Sequence, residues 1–339
     1  MACVKGDGYG HGMIKVARAA LEGGADRLSV ARVEEGVALR RAGLQAPIQI
    51  LIEPRPEEAE AISEFNLIPS LSSPVVAREL ARRLEKRIKV HIEVDTGMHR
   101  VPLKAKETPT FAEFLLSSGR FEIEGIFSHF ASSTIPDNGK ARELSLNQLV
   151  EFNGVIEACK SRGISFPLRH MANTGAVSLY PDSYFDMIRP GFALYGFPVD
   201  WIHLTTRPAL SWHAHIDSVL PVKGGEGIGY DHNYIPRIDT NIALISAGYA
   251  DGYPRGLSNL GHAVIRCTRI PLVGLVGMDQ MMADVGDMPE VVAGDEVLLI
   301  GKMEGAEVSA GELAYNLHTT AAQVACGITT RVERHYLNE

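Results

Sequence analysis

Two rhythms of apolar positions alternate along the first two-thirds of the chain. Short β-branched runs predict strands at 2–5, 27–31, 48–52, 67–71, 89–95, 122–128, 167–171 and 186–194. Between them, apolar residues recur at helical spacing in stretches such as Met13–Leu21, Glu34–Arg41, Ala77–Leu84 and Ala141–Arg162, with Gly23-Gly24 and Gly43 placed as helix C-caps. Eight strands alternating with helices predict an α/β fold, a parallel (β/α)8 TIM-type barrel rather than an open sheet. After about Pro208 the rhythm changes. "TNIALISAG", "HAVIRCTRIPLVGLVG" and "DEVLLIG" are β-rich and punctuated by Gly and Pro, and one helix stands out near Ala310–Leu317. The expected organisation is a barrel over 1–205 followed by a mainly β domain over 206–339.

In such a barrel, chemistry gathers at the C-terminal ends of the strands. The first strand ends in Lys5, in "MACVKGDGYGHG", with Tyr9 and His11 following. The fifth, "VHIEVDTGMHR", places His91, Glu93 and Asp95 on one face and Val90, Ile92 and Val94 on the other, with Arg100 just beyond. The apolar face suits the surrounding helices, so the polar face is expected to point into the barrel. The sixth ends at His129 in "SHF", the seventh at His170, Asn173 and Thr174 in "RHMANTG", and the eighth at Arg189 and Gly191 in "DMIRPGFALYG". Taken singly, Lys5 reads as a solvated side chain, Glu93 with Arg100 as an ion pair, and His129 or His170 as a hydrogen-bonded core histidine. Their convergence on one rim points to a site.

Composition narrows the chemistry. A net charge of −8 argues against a nucleic-acid partner. No apolar run approaches the roughly 20 residues that cross a bilayer, and no signal peptide fits the start. Cys3, Cys159, Cys267 and Cys326 are scattered without a Cys-x-x-Cys pair, which favours a reducing cytoplasm over a structural zinc site or a disulfide framework. An amine in a desolvated pocket suits a Schiff base. Barrels often bind phosphate in the loops after strands seven and eight, where Thr174 and Gly191 lie. A lysine with a phosphate cradle suggests pyridoxal phosphate, with Arg189 a candidate partner for its ring nitrogen. There is no Gly-x-x-x-x-Gly-Lys-Ser/Thr loop.

At this point the sequence resembles a known family. "VKGDGYGHG" is similar to the pyridoxal-phosphate signature of bacterial alanine racemases, and "DTGMHR", "SHFA", "HMANTGA", "RPGFALYG", "GYDHNY", "GYADGYPR" and "GMDQ" appear in family order, essentially end to end. The resemblance implies a head-to-tail homodimer with shared active sites, pyridoxal 5'-phosphate as cofactor, no metal, and interconversion of L- and D-alanine for cell-wall peptidoglycan. Carried over by position, Lys5 would hold the cofactor and act as acid and base on one face of the substrate. Tyr230, supplied by a second copy, would serve the other face. Tyr9, Thr174, Gly191 and Phe192 would hold the phosphate. Arg189 would meet the pyridine nitrogen, His129 would link Tyr230 to Arg189, and Asn173 would complete the cofactor set. Arg100 and the backbone of Met278 would meet the substrate carboxylate side, while Tyr249 and Asp279 would line the entrance. A free phenol ionises only near pH 10, so a tyrosine base needs help, which a chain through His129 to Arg189 would supply.

Three departures from the family pattern shape the expectations. Glu93 stands where the family often carries a carbamylated lysine, and would orient Arg100 with its own charge. Ala322 replaces a pocket-narrowing tyrosine, Leu275 an arginine of the entry corridor, and Thr134 falls near a usual aspartate. A roomier entrance makes serine or a broader range of amino acids the alternative substrates, although one or two heavy atoms change discrimination by only about 1–3 kcal/mol. The family's lysine strand normally follows an upstream segment that joins the β domain. The resemblance therefore leaves three readings open: a truncated chain, a misassigned start, or part of a longer, membrane-anchored parent. Two other classes remain as competitors. A barrel-type amino-acid decarboxylase would show a Cys-Asp-rich substrate motif, which "GYDHNY" does not resemble. A non-catalytic pyridoxal-phosphate carrier would be a single barrel.

Overall fold

The computed structural model describes residues 1–133, 139–197, 205–286 and 288–337. Thr134 lies outside these residues. Contacts divide the chain into two units. The first holds most of the chain up to Leu194. The second holds the C-terminal part together with Tyr9–His11 and a stretch beginning at Tyr195.

In the first unit seven parallel strands follow one another in chain order: β1 (Ala2–Cys3), β2 (Leu28–Val30), β3 (Ile48–Ile50), β4 (Ile68–Leu71), β5 (Ile88–Glu93), β6 (Phe121–Phe127) and β7 (Leu168–His170). Helices connect them, among them Met13–Glu22, Val33–Arg41, Pro74–Arg83, Thr108–Ser117 and Gly139–Lys160. Gly23 caps the first, and Gly43, at φ +87°, follows the second. Val4, Leu28, Val30, Ile48, Ile50, Leu71, Val90, Ile92 and Ile126 are buried in one apolar core with the helix faces Ala17, Leu39, Ile62, Leu80 and Phe152. The other face of these strands carries buried polar residues, among them Ser29, Gln49, Ser70 and His91, so the strands do not read as continuous apolar runs.

The expected eighth strand at 186–194 is not a strand. Pro190 has no N–H to give a ladder, and Phe192–Tyr195 turns into a 3-10 helix. The stretch nevertheless closes the sheet. Its carbonyls accept from Met1 N at Ile188 O (3.1 Å) and from Cys3 N at Pro190 O (3.2 Å), while Arg189 N donates to Ala172 O (2.8 Å). The fold is thus a TIM-like barrel of seven named strands and one bridging segment.

One interior position is set by volume. A Cβ at Gly125 on β6 would lie 2.5 Å from His91 Cε1 and 2.8 Å from Leu168 O. Gly125→Ala is therefore expected to destabilise the fold by about 1–3 kcal/mol, read as an earlier urea midpoint at unchanged slope. An unchanged midpoint would refute it.

The second unit is an antiparallel barrel. Its strands are β8 (Trp212–Val222), β9 (Thr240–Ile245), β10 (His262–Ile265), β11 (Thr268–Val273), β12 (Met281–Asp284), β13 (Glu296–Met303) and β14 (Ala306–Val308). The order is β10-β11-β12-β9-β8-β13-β14, and pairing of β10 with β13 closes the ring. Along β8 buried and exposed residues alternate from Trp212 to Asp217, the pattern of a strand wetted on one side. The expected helix is present at Ala310–Asn316, capped by Ser309, and a second follows at Ala321–Gly327, capped by Thr320. Gly10 packs on that second helix so closely that a Cβ would sit 2.2 Å from Ala325 O, and its φ of +83° excludes most side chains as well. Ala322 is buried on the same helix, and Leu275 is half-buried after β11.

Candidate active site

Lys5 is delivered by β1, and the chain behind it turns sharply. Gly6, Asp7, Gly8 and Tyr9 all have φ between +52° and +62°. Glycine takes this conformation without penalty, whereas Asp7 and Tyr9 each cost ~1–2 kcal/mol. Compensating hydrogen bonds surround the turn. Asp7 Oδ1 accepts from Met13 N (2.8 Å), which satisfies the start of Met13–Glu22. Glu35 Oε1 accepts from Gly6 N (2.7 Å), and its Oε2 from Ala31 N and Arg32 N (2.7 and 3.0 Å).

Arg189 is buried within the bridging segment, between Ile188 and Pro190. It donates to His170 Nδ1 (2.7 Å), to Ser128 O (2.8 Å), to Met171 O (3.3 Å) and to His129 Nδ1 (3.3 Å). Burial lowers its pKa to about 10, against the pull of Glu93. A guanidinium can only donate, and this settles the tautomers beyond it. His170 accepts at Nδ1, so its Nε2–H donates to His91 Nδ1 (2.7 Å), and His91 Nε2–H then donates to Glu124 Oε2 (3.2 Å). Glu124 also accepts from Lys89 (2.8 Å) and from Arg27. Burial would raise the Glu124 carboxyl, but the hydrogen bonds from His91, Lys89 and Arg27 hold it far below the usual carboxylate range. The barrel interior therefore carries a one-way chain from Arg189 to Glu124.

His129 is held neutral, first by burial and then by the positive charges of Arg189, Arg100 and Lys5. Burial, with Arg189, does the same to His170. Their folded pKa values lie below the unfolded one, so their stability is complete above about pH 6.5 and is lost as pH falls. Each should cost ~1.4 kcal/mol per pH unit below that point. Urea midpoints at pH 7.5 and pH 5.5 check this, and coincident midpoints would contradict it.

Of the three polar residues on β5 and its extension, only His91 lies in the core chain. Glu93 Oε1 accepts from Arg100 Nη2 (3.0 Å), and burial pushes its carboxyl up more than Arg100 pulls it down. Asp95 closes on its own loop, accepting from Gly97 N (3.0 Å), His99 N (2.8 Å), His99 Nδ1 (3.0 Å) and Lys104 Nζ (2.6 Å). That clamp fixes the loop which carries Arg100.

At the rim after β7, Thr174 Oγ1 accepts from Gly191 N (3.0 Å) and Ala193 N (3.4 Å), which brings Thr174, Gly191 and the start of the Phe192 turn together. Asn173 Oδ1 caps Thr174–Leu179 through Ala176 N (3.1 Å) and accepts from Ser133 Oγ (2.6 Å). In the first unit, then, Arg189 meets His129, Glu93 meets Arg100, and Thr174 meets Gly191.

The remaining expected residues belong to the second unit. Tyr9 stacks on Tyr195 at 4.7 Å between ring centroids. Tyr249 N donates to Gly277 O (3.0 Å) and Ala250 N to Met278 O (2.9 Å), which sets the Tyr249 and Met278 segments side by side. Asp279 Oδ1 accepts from Arg331 Nη1 (2.9 Å). Tyr230 is 68% exposed at the tip of the loop between Ile228 and Tyr234, whose backbones bridge. Asp231 and His232 behind it are left-handed, and Tyr234 donates to Asp284 (2.7 Å). Sequence reasoning missed the supports Glu35, Ser128 and Gln148: the Glu35 and Gln148 side chains bind backbone, and Ser128 accepts from Arg189 through its backbone carbonyl.

Residues 1–198 match the family described as alanine racemase, N-terminal domain, and residues 209–336 the family described as alanine racemase, C-terminal domain. The chain is 40% identical to the alanine racemase of Symbiobacterium thermophilum and 39% identical to that of Halothermothrix orenii, covering 100% of itself and 90% of each. Among solved structures, the alanine racemase of D-cycloserine-producing Streptomyces lavendulae superposes with a TM-score of 0.93 at 31% identity, over 100% of this chain and 90% of that one. The alanine racemase from E. faecalis gives 0.91 at 31%, over 98% and 89%.

Proposed function

The chain belongs to the alanine racemase family, and from that premise we propose that it interconverts L- and D-alanine with pyridoxal 5'-phosphate as cofactor. The observation that carries the reading is the half-buried His129 in contact with Arg189 at 3.3 Å, with the charges of Arg189, Arg100 and Lys5 acting on its ring. The donor set fits the cofactor. Lys5 offers a primary amine for its aldehyde, Arg189 offers a group that can only donate and so suits an unprotonated ring nitrogen, and Thr174 with Gly191 offers a hydroxyl and backbone for its phosphate. Tyr9, Asn173 and Phe192 join this set in our reading. When bound, the group supplies an electron-withdrawing ring that acidifies the α C–H of an amino acid.

The chain's own residues divide the remaining work. The Lys5 amine takes or returns the α-proton on one face, and Tyr230 from a second copy does so on the other. Because Arg189 donates to His129 Nδ1, the neutral imidazole keeps its proton on Nε2 and presents it as a donor for the phenolic oxygen. Arg100 and the Met278 backbone receive the substrate carboxylate, and Tyr249 and Asp279 guard the entrance. A homodimer would cover exposed side chains of the second unit such as Tyr230, Ile235 and Ile238. We read the role as supply of D-alanine for peptidoglycan, with the cytoplasm as the compartment. Among the described residues no helix is long and apolar enough to cross a membrane.

Glu93 is the acidic partner of Arg100 in this reading. Glu93→Gln should lower kcat/KM for alanine by about tenfold, mainly through KM, as the arginine loses its orienting charge. An unchanged kcat/KM refutes that role.

The deciding experiment incubates the purified, cofactor-loaded protein with single L-amino acids and follows optical rotation. L-alanine should lose its rotation. Faster loss with L-serine would favour the broader-specificity reading that the small Ala322 side chain supports. Release of CO2 would identify a decarboxylase, and cofactor absorbance without turnover a carrier.

A further inference from the structure

β6 ends at Phe127, so the segment that carries His129 continues without a strand ladder. Its backbone is held instead by a side chain from a distant helix. Gln148, on Gly139–Lys160 and only 1% exposed, donates from Nε2 to His129 O (3.0 Å) and accepts at Oε1 from Ala131 N (2.9 Å). Backbone carbonyl and backbone N–H leave one orientation for the amide. The same Nε2 reaches Thr96 Oγ1 at 3.5 Å. From there the chain of donors is forced. Ser128 Oγ–H donates to Val94 O (2.7 Å), so Thr96 Oγ1–H donates to Ser128 Oγ (2.7 Å). Gly97, at φ +126°, lies flush against the Gln148 side chain, with its Cβ position 3.4 Å from Cγ.

Gln148 thus touches both segments that serve the rim, the one bearing His129 and the Thr96–Gly97 turn that leads to Arg100. We propose that Gln148 is a positioning residue for the racemisation site, holding His129 in register with Arg189. This rests on the reading of His129 and Arg100 given above. The His129–Arg189 contact is 3.3 Å, already at the long end for a hydrogen bond, so a small displacement of the His129 backbone breaks it. A purely apolar side chain of the same length would fill the space but leave His129 O and Ala131 N without this partner. The charged groups facing His129 are Arg189, Arg100 and Lys5, all positive. A ring that swings away from them takes up a proton at higher pH.

The test compares wild type, Gln148→Met and Gln148→Glu. The first variant removes both hydrogen bonds and keeps the bulk. The second keeps the acceptor for Ala131 N, loses the donor to His129 O, and serves if the first does not fold. Both should lower kcat for alanine by about 10- to 100-fold with KM changed less than about threefold, and move the acid limb of the kcat/KM profile upward. Histidine NMR titration of the cofactor-free protein gives a second readout. The resonance missing from His129→Asn should titrate at higher pH in the variants than in wild type. A folded variant with wild-type kcat, an unchanged acid limb and an unchanged His129 titration overturns the proposal, even if it melts earlier. A wild type that leaves the rotation of L-alanine unchanged would instead sink the racemase reading, a result this comparison reports separately.

Discussion

Lys5→Ala is expected to lower alanine racemisation by at least ~10^4-fold while leaving the chain folded. General acid–base catalysis alone is worth up to ~10^4, and the proposed lysine also anchors the cofactor, so the two losses compound. Stability should change little. The Lys5 side chain is outside the apolar core, and the backbone around it is held by neighbours that the substitution leaves in place: Val4 N on Ser29 O, Gly8 N on Val4 O, and Gly6 N on Glu35. A melting curve within a few degrees of wild type, with no turnover, is the expected result. Partial rescue by a small exogenous amine would identify the missing group as the amine itself. Activity within tenfold of wild type would remove Lys5 from the mechanism.

Tyr230→Phe tests the other face. It should reduce net racemisation by ~10^2–10^4-fold without stopping proton exchange on the lysine side. In D2O one enantiomer of alanine should then exchange its α-hydrogen while keeping its configuration, as expected of a site left with the lysine alone, whereas an enzyme that used one base for both faces would still invert it. Full activity would sink the two-base assignment. Mixing Lys5→Ala with Tyr230→Phe addresses the dimer. If each site combines residues from two copies, mixed dimers are half of the population and carry one complete site of two. About a quarter of wild-type activity should therefore return. No recovery, with exchange of subunits verified, would place both residues of a site on one chain.

The barrel was legible because parallel strands finish on one rim, so polar residues after apolar runs fall together whatever their sequence separation. That rule brought Lys5, Arg100, His129 and Arg189 to notice. It does not say who meets whom. His91 and Glu93 look equivalent on an alternating strand, yet one enters the core chain and the other meets Arg100. The segment 186–194 is apolar enough to suggest a strand, but Pro190 removes a donor and the closure relies on carbonyls. In the second unit the helix Ala321–Gly327 was hidden by its brevity. The two-residue turn between β10 and β11 is Arg266–Cys267, both with positive φ, where glycine or asparagine would have announced it. Gln148 was invisible for another reason. In "LNQLVEF" a glutamine reads as part of a helix's wet face, and only the burial of that face against the loops after β5 and β6 reveals what it holds.

The left-handed turn from Gly6 to Tyr9 has a kinetic meaning. Two non-glycine residues in that conformation, and two glycines that surrender their large unfolded freedom, make the turn a burden on folding. The burden falls once in the lifetime of the molecule. Thereafter the segment behind Lys5 has few alternative shapes to explore, because Glu35 and Asp7 have already fixed its exits. A flexible loop would fold more readily but would have to be ordered again at every turnover. Here the ordering entropy is moved from the catalytic cycle into the folding reaction.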